Sequence, residues 1–158
     1  MNPHPARDDF DDAPTDPGVG GPRARVLVAE DDPALRQLIV QRMRREGFEV
    51  LEACSGDDAM IVLSAIVQHV EPRDALDLLV MDVRMPGTSG IEVTRQLRLA
   101  RWTMPVLLIT AYPDASLLAE ATRLNAAVLA KPFALDRLSD AAIAALVSPA
   151  LGRHRLAL

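Results

Sequence analysis

The chain has 158 residues, 49% hydrophobic and 25% charged, so it can close one ordinary core and is not disordered as a whole. Its net charge of -5 argues against nucleic-acid phosphates as the main partner, which call for a basic face. Glu, Arg or Asp interrupts every apolar run before it reaches membrane length, no basic-then-apolar leader is visible, and the single Cys54 fits a reducing, cytoplasmic setting.

Residues 1–22 hold five Pro, three Gly and five Asp, with Phe10 and Val19 as their large hydrophobics after Met1. That composition predicts a disordered acidic tail. Val26 to Ala29 reads as a short buried strand. Asp32-Pro33 then supplies an N-cap and a proline at the first helical position, and Leu35, Leu38, Ile39 and Met43 recur at helical spacing until Gly47. Phe48 to Ala53 reads as a second strand, and Ser55 caps a helix carrying Ala59, Met60, Leu63, Ile66 and Val67. Cys54, just past that strand, is expected to be a small buried hydrophobe. Leu76 to Met81 predicts a third strand, followed by a helix from Gly90 to Arg101. Trp102 at the end of that helix is expected to pack. Pro105 precedes a fourth strand, Val106 to Ile109, and Tyr112-Pro113-Asp114 opens a helix to Leu124. Val128 to Ala130 is a very short fifth strand, and Leu135 to Val147 a last helix. Residues 148–158 then read as a short C-terminal tail without an output domain. Five alternating strand-helix units over residues 24–147 predict one α/β domain, a parallel sheet between two helix layers.

Polar residues break the apolar strands at their carboxyl ends: Glu30 and Asp31 after the first, Asp82 at the third, Thr110 at the fourth and Lys131 after the fifth. In a parallel sheet these ends share one edge, where open α/β sheets bind ligands. Two carboxylates about 5 Å apart repel by roughly 3 kcal/mol at an effective dielectric near 20, so three together call for a cation. All are hard oxygen donors with no patterned His or Cys, which suits Mg²⁺. Asp82 is then a candidate nucleophile for a phosphoryl group, with Thr110 and Lys131 to contact its oxygens. Lys131 is the one lysine in a chain with 16 arginines, which favours a lysine-specific task. The turn through Pro86, Gly87 and Gly90 carries the backbone away and leaves Asp82 open to a donor.

Four stretches, V-L-V-A-E-D-D-P-A-L-R, L-L-V-M-D-V-R-M-P-G-T-S-G, V-L-L-I-T-A-Y and A-K-P-F, stand in order between residues 26 and 133. Together they resemble the receiver domain of bacterial two-component response regulators. The resemblance implies a flavodoxin-like (βα)5 three-layer sandwich with strand order 2-1-3-4-5. It implies that Asp82 takes phosphate from a histidine kinase or histidine phosphotransferase, and that Thr110 and Lys131 contact the phosphoryl group. Glu30, Asp31, Asp82 and the backbone carbonyl of Arg84 would hold Mg²⁺. A switch face over residues 113–147 would engage a downstream protein. The family pattern is departed from at Val128, where an aromatic is frequent, and at Leu124-Asn125, where Gly-Ala often closes the fourth helix. Arg84 and Tyr112 are large residues at positions flanking the acceptor.

The leading expectation is a stand-alone receiver: a cytoplasmic signalling phosphoacceptor, not an enzyme, with no membrane or direct nucleic-acid contact. A receiver-like interaction module that is never phosphorylated is the alternative. An aspartate-nucleophile phosphatase lacks its second Asp, since Arg84 stands two residues after Asp82. A flavin mononucleotide site lacks its Ser/Thr/Gly-rich loop, since Glu30-Asp31-Asp32 occupies that place.

Overall fold

A computed structural model describes residues 23–69 and 76–147; the two tails expected from composition lie outside the described residues. Five strands, β1 (Arg25–Ala29), β2 (Glu49–Ala53), β3 (Leu78–Asp82), β4 (Val106–Thr110) and β5 (Ala127–Ala130), alternate with five helices. These are α1 (Pro33–Arg45), α2 (Gly56–His69), α3 (Gly90–Leu99), α4 (Ala115–Arg123) and α5 (Leu135–Val147). All neighbouring strands pair in parallel, in the order β2-β1-β3-β4-β5. The parallel α/β sandwich expected from the alternation, with the flavodoxin-like strand order that the resemblance implies, is the architecture observed.

The central strands are apolar between their ends because both faces are covered, yet successive residues serve opposite cores. Leu27, Leu79, Met81 and Leu108 meet Ala59 and Leu63 of α2, Val93 and Leu97 of α3 and Ala121 of α4. Val26, Val28, Leu78, Val80, Leu107 and Ile109 meet Ile39, Val40 and Met43 of α1 and Leu138, Ala142 and Ala145 of α5. Each buried leucine contributes about 2 kcal/mol over an exposed one, so β3 and β4 are rigid platforms for whatever stands at their ends. Asp32 caps α1 by accepting from the N–H groups of Ala34 and Leu35, with Pro33 next, as its sequence requires.

The layer around α4 is thinner. Ala121 is the buried residue of that helix, and β5 is half-buried at Val128 and Leu129 and exposed at Ala127 and Ala130. Leu118 of α4 and Ile143 of α5 stay more than two-fifths exposed. Arg95 of α3 pairs with Glu120 of α4, and Arg98 donates to the carbonyls of Leu124 at 2.7 Å and Asn125 at 3.3 Å. Asn125 takes the left-handed conformation, φ 53°, that closes α4 without a glycine.

Most element ends lie within two residues of the sequence reading, and two of the differences have a visible cause. Leu76 and Asp77 precede β3 because Asp77 caps β1 instead, accepting from the Arg25 N–H at 2.8 Å. Tyr112 and Pro113 precede α4 because Asp114 is its cap, accepting from the Leu117 N–H at 2.8 Å. Cys54 is exposed, not buried: β2 is an edge strand, and Cys54 lies one residue past its end.

Candidate functional site

The parallel register brings the polar strand ends to one edge. Ala29 pairs with Met81, Asp82 with Ile109, and Thr110 with Ala130, so Glu30, Asp82, Thr110 and Lys131 follow one another across the sheet. The ladder continues one step past the strands. The Glu30 N–H donates to the Ala53 carbonyl at 3.2 Å, Val83 to Ile109 at 2.8 Å and Lys131 to Thr110 at 2.7 Å. The backbones that carry the polar side chains are therefore fixed by the sheet itself.

Lys131 is the hub. Its Nζ donates to Asp82 Oδ2 at 2.6 Å and to Glu30 Oε2 at 2.9 Å. The other Asp82 oxygen accepts from the Arg84 N–H at 2.9 Å, and the other Glu30 oxygen from the Asp32 N–H at 3.1 Å. Glu30 is 1% exposed, Asp82 6% and Thr110 1%, whereas Asp31 stands in solvent at the rim. The Thr110 hydroxyl accepts from the Tyr112 N–H at 3.0 Å, which leaves its own proton to donate. Arg36 of α1 donates to the Glu30 carbonyl at 2.7 Å and ties the loop after β1 to the helix that follows it.

Glu30, Asp31 and Asp82 each offer a carboxylate oxygen, all within 4.8 Å of one another. At that spacing each pair repels by about 3 kcal/mol at an effective dielectric near 20. Lys131 neutralises one of three charges and leaves two, the charge of one divalent cation. Carboxylate oxygens on a partly open rim fit Mg²⁺, which keeps several waters and rejects closed protein cages. The residues present therefore fit the ion.

Burial pushes the Glu30 carboxyl above its usual range, opposed by the Lys131 hydrogen bond and the Asp32 N–H and reinforced by the Asp82 charge. For Lys131 burial acts downward, but its hydrogen bonds to Asp82 and Glu30 and their charges outweigh it, so the ammonium is held above its ordinary value. Linkage gives both shifts the same slope, since each group binds its proton more tightly in the folded state and stability falls as pH rises through its own window. A carboxyl raised on folding destabilises the folded state as pH rises through the window from the unfolded value to the folded one. A raised lysine stabilises below its unfolded value and loses that stability only as pH climbs through its folded one. Glu30→Gln is thus expected to raise the melting temperature of metal-free protein, and by more at pH 8 than at pH 5. Melting curves of both proteins in a chelator check it; an equal or reversed difference at the two pH values contradicts it.

The sequence-derived set Glu30, Asp31, Asp82, Thr110 and Lys131 converges at this edge. Arg84 and Tyr112 meet each other as well: the Arg84 guanidinium sits 4.7 Å from the Tyr112 ring centroid, a cation–π pair. Val128 is half-buried against the core cluster of Ala121. Sequence reasoning missed Arg36 and the pair Asp57–Thr88, whose partners are brought together only by the fold.

The response regulator receiver domain family matches residues 26–143. The chain is 26% identical over 118 residues to sporulation initiation phosphotransferase F of Bacillus subtilis (strain 168), a match spanning 74% of this chain and 89% of that protein. It is 37% identical over 125 residues to the C4-dicarboxylate transport transcriptional regulatory protein DctD of Pseudomonas aeruginosa, spanning 78% of this chain but only 25% of that longer relative. Among solved structures, the response regulator receiver domain protein from Clostridium thermocellum matches with a TM-score of 0.68 at 26% identity, covering 78% of this chain and 94% of that one. With five parallel strands in the order 2-1-3-4-5 and an acidic, lysine-bridged edge, the chain belongs to the response regulator receiver domain family.

Proposed function

We propose that the chain is a phosphoacceptor. It takes a phosphoryl group from the phosphohistidine of a histidine kinase or histidine phosphotransferase onto Asp82, in a Mg²⁺-dependent reaction. The observation that carries this reading is the bridge of Lys131 between Asp82 and Glu30 at the sheet edge, which holds a nucleophile and a phosphoryl-binding cation together. A carboxylate oxygen of Asp82 attacks phosphorus, the P–N bond to the donor imidazole breaks, and the imidazole leaves as a neutral ring after taking up a proton. Lys131 turns from the carboxylates to a transferred oxygen, and the Thr110 hydroxyl donates to another. Mg²⁺, held by Glu30, Asp31, Asp82 and the Arg84 carbonyl, would offset the charge that collects as acceptor and phosphoryl group approach.

Output is proposed to pass through protein contacts of the 113–147 face, or through onward transfer of the phosphoryl group, in the cytoplasm. The sparsely buried α4 and the exposed Leu118 and Ile143 suit such a face. The net charge of -5 disfavours direct DNA contact, and no helix among the described residues is long and apolar enough to cross a membrane. The test is transfer from a phosphohistidine donor radiolabelled on phosphorus. Label should pass to the wild-type chain with Mg²⁺ present and stay on the donor with Asp82→Asn; retention by the donor in both cases contradicts the proposal.

A further inference from the structure

The loop from Val83 to Ser89 carries Arg84, and α3 is not its sole anchor. Asp57, in the first turn of α2, reaches it from beyond β1. Its Oδ1 accepts from the Thr88 N–H at 3.0 Å and from the Thr88 hydroxyl at 2.6 Å. Its Oδ2 occupies the space a side chain at residue 87 would fill: a Cβ on Gly87, which has φ +77°, would overlap this oxygen. On the other side, a Cβ on Gly56 would overlap the Thr88 carbonyl oxygen. Helix α2 thus presses its first residue onto the Thr88 backbone while the carboxylate of its second grips Thr88 through two donors. Two absent side chains and one doubly bonded carboxylate make a closed joint between residues 56–57 and 87–88. The Thr88 hydroxyl and N–H also hold the Asp57 carboxyl below its usual range.

We infer that Asp57 is a positioning residue for phosphoryl transfer: through Thr88 and Gly87 it fixes the 83–89 loop, and so the Arg84 backbone that bonds Asp82. The coupling is short, because the Arg84 N–H donates directly to Asp82 Oδ1 at 2.9 Å. A carbonyl ligand on a loop ordered beforehand need not be ordered by the ion, and outer contacts of this kind tune metal affinity. The inference rests on reading Asp82 as a Mg²⁺-dependent acceptor.

The experiment is a Mg²⁺ titration followed by melting temperature, with initial rates of acetyl phosphate labelling at limiting and saturating Mg²⁺. Asp57→Ala should raise the half-saturating Mg²⁺ concentration by about tenfold. Its labelling should fall at limiting Mg²⁺ and recover when the ion saturates. Thr88→Val keeps the N–H and loses the hydroxyl, so about threefold is expected. Asp57→Asn keeps an acceptor oxygen and should restore most of the affinity, and the Asp57→Ala, Thr88→Val double variant should be no worse than Asp57→Ala alone. A joint that merely staples α2 would lower the metal-free melting temperature and leave half-saturation within about twofold of wild type, which overturns the inference. Should Asp57→Ala fail to fold, Thr88→Val decides by the same criterion. Failure of the underlying reading looks different, since wild type itself would then show neither Mg²⁺ stabilisation nor labelling, and the positioning role would fall with it.

Discussion

Replacing Lys131 with alanine is expected to slow labelling by acetyl phosphate about 100-fold while tightening the binding of Mg²⁺. The two effects have opposite signs because the ammonium does two things. In the resting protein it covers Asp82 Oδ2 and Glu30 Oε2 and so competes with a metal ion for them. In the proposed transfer it turns from them to a phosphoryl oxygen. Removing it leaves three carboxylates facing one another, so the metal-free protein should also melt lower. Lys131→Arg should not restore the rate, because a planar fork cannot present a compact charge to both carboxylates. Labelling rates and Mg²⁺ titrations of the three proteins check this. A rate for Lys131→Ala within about threefold of wild type would show that the ammonium is no part of the transition state, since a lost charge-assisted bond costs more than that.

Asp82→Asn is the second large effect, and it should be visible without any phosphoryl donor. It removes one charge from the cluster while preserving shape, and relief of the repulsion from Glu30 and Asp31 outweighs the loss of attraction to Lys131. A net gain of about 1 kcal/mol moves the metal-free melting temperature of a domain this size up by roughly 4 °C. The same change strips the ion of a charged ligand. At ten times its dissociation constant, Mg²⁺ stabilises the wild type by about 1.4 kcal/mol, and a tenfold weaker site gains only about 0.4 kcal/mol at that concentration. The variant should therefore start higher and rise less. Equal Mg²⁺ responses in the two proteins would place the ion elsewhere.

Much of this site was legible in the chain because its residues interrupt apolar strands. An Asp closing L-L-V-M-D and a Thr closing V-L-L-I-T stand out against fully buried neighbours, and parallel pairing leaves them no choice of edge. The burial of Glu30 was less legible: its neighbour Asp31 is chemically alike yet lies in solvent, a difference set by the ladder bond from the Glu30 N–H to Ala53. Cys54 misled because an apolar thiol after a strand suggests burial, while its exposure follows from the position of β2 at the sheet edge. The Asp57–Thr88 joint was invisible because its residues are 31 apart in sequence and each resembles an ordinary helix-end polar group.

The most direct test of the central claim is the intact mass of the protein after incubation with acetyl phosphate and Mg²⁺, wild type beside Asp82→Asn. The account predicts one added phosphoryl group on the wild type, abolished by a chelator, and none on the variant. An added group on both proteins would move the acceptor away from Asp82. No addition to either would contradict the phosphoacceptor reading and leave a receiver fold that acts by binding alone.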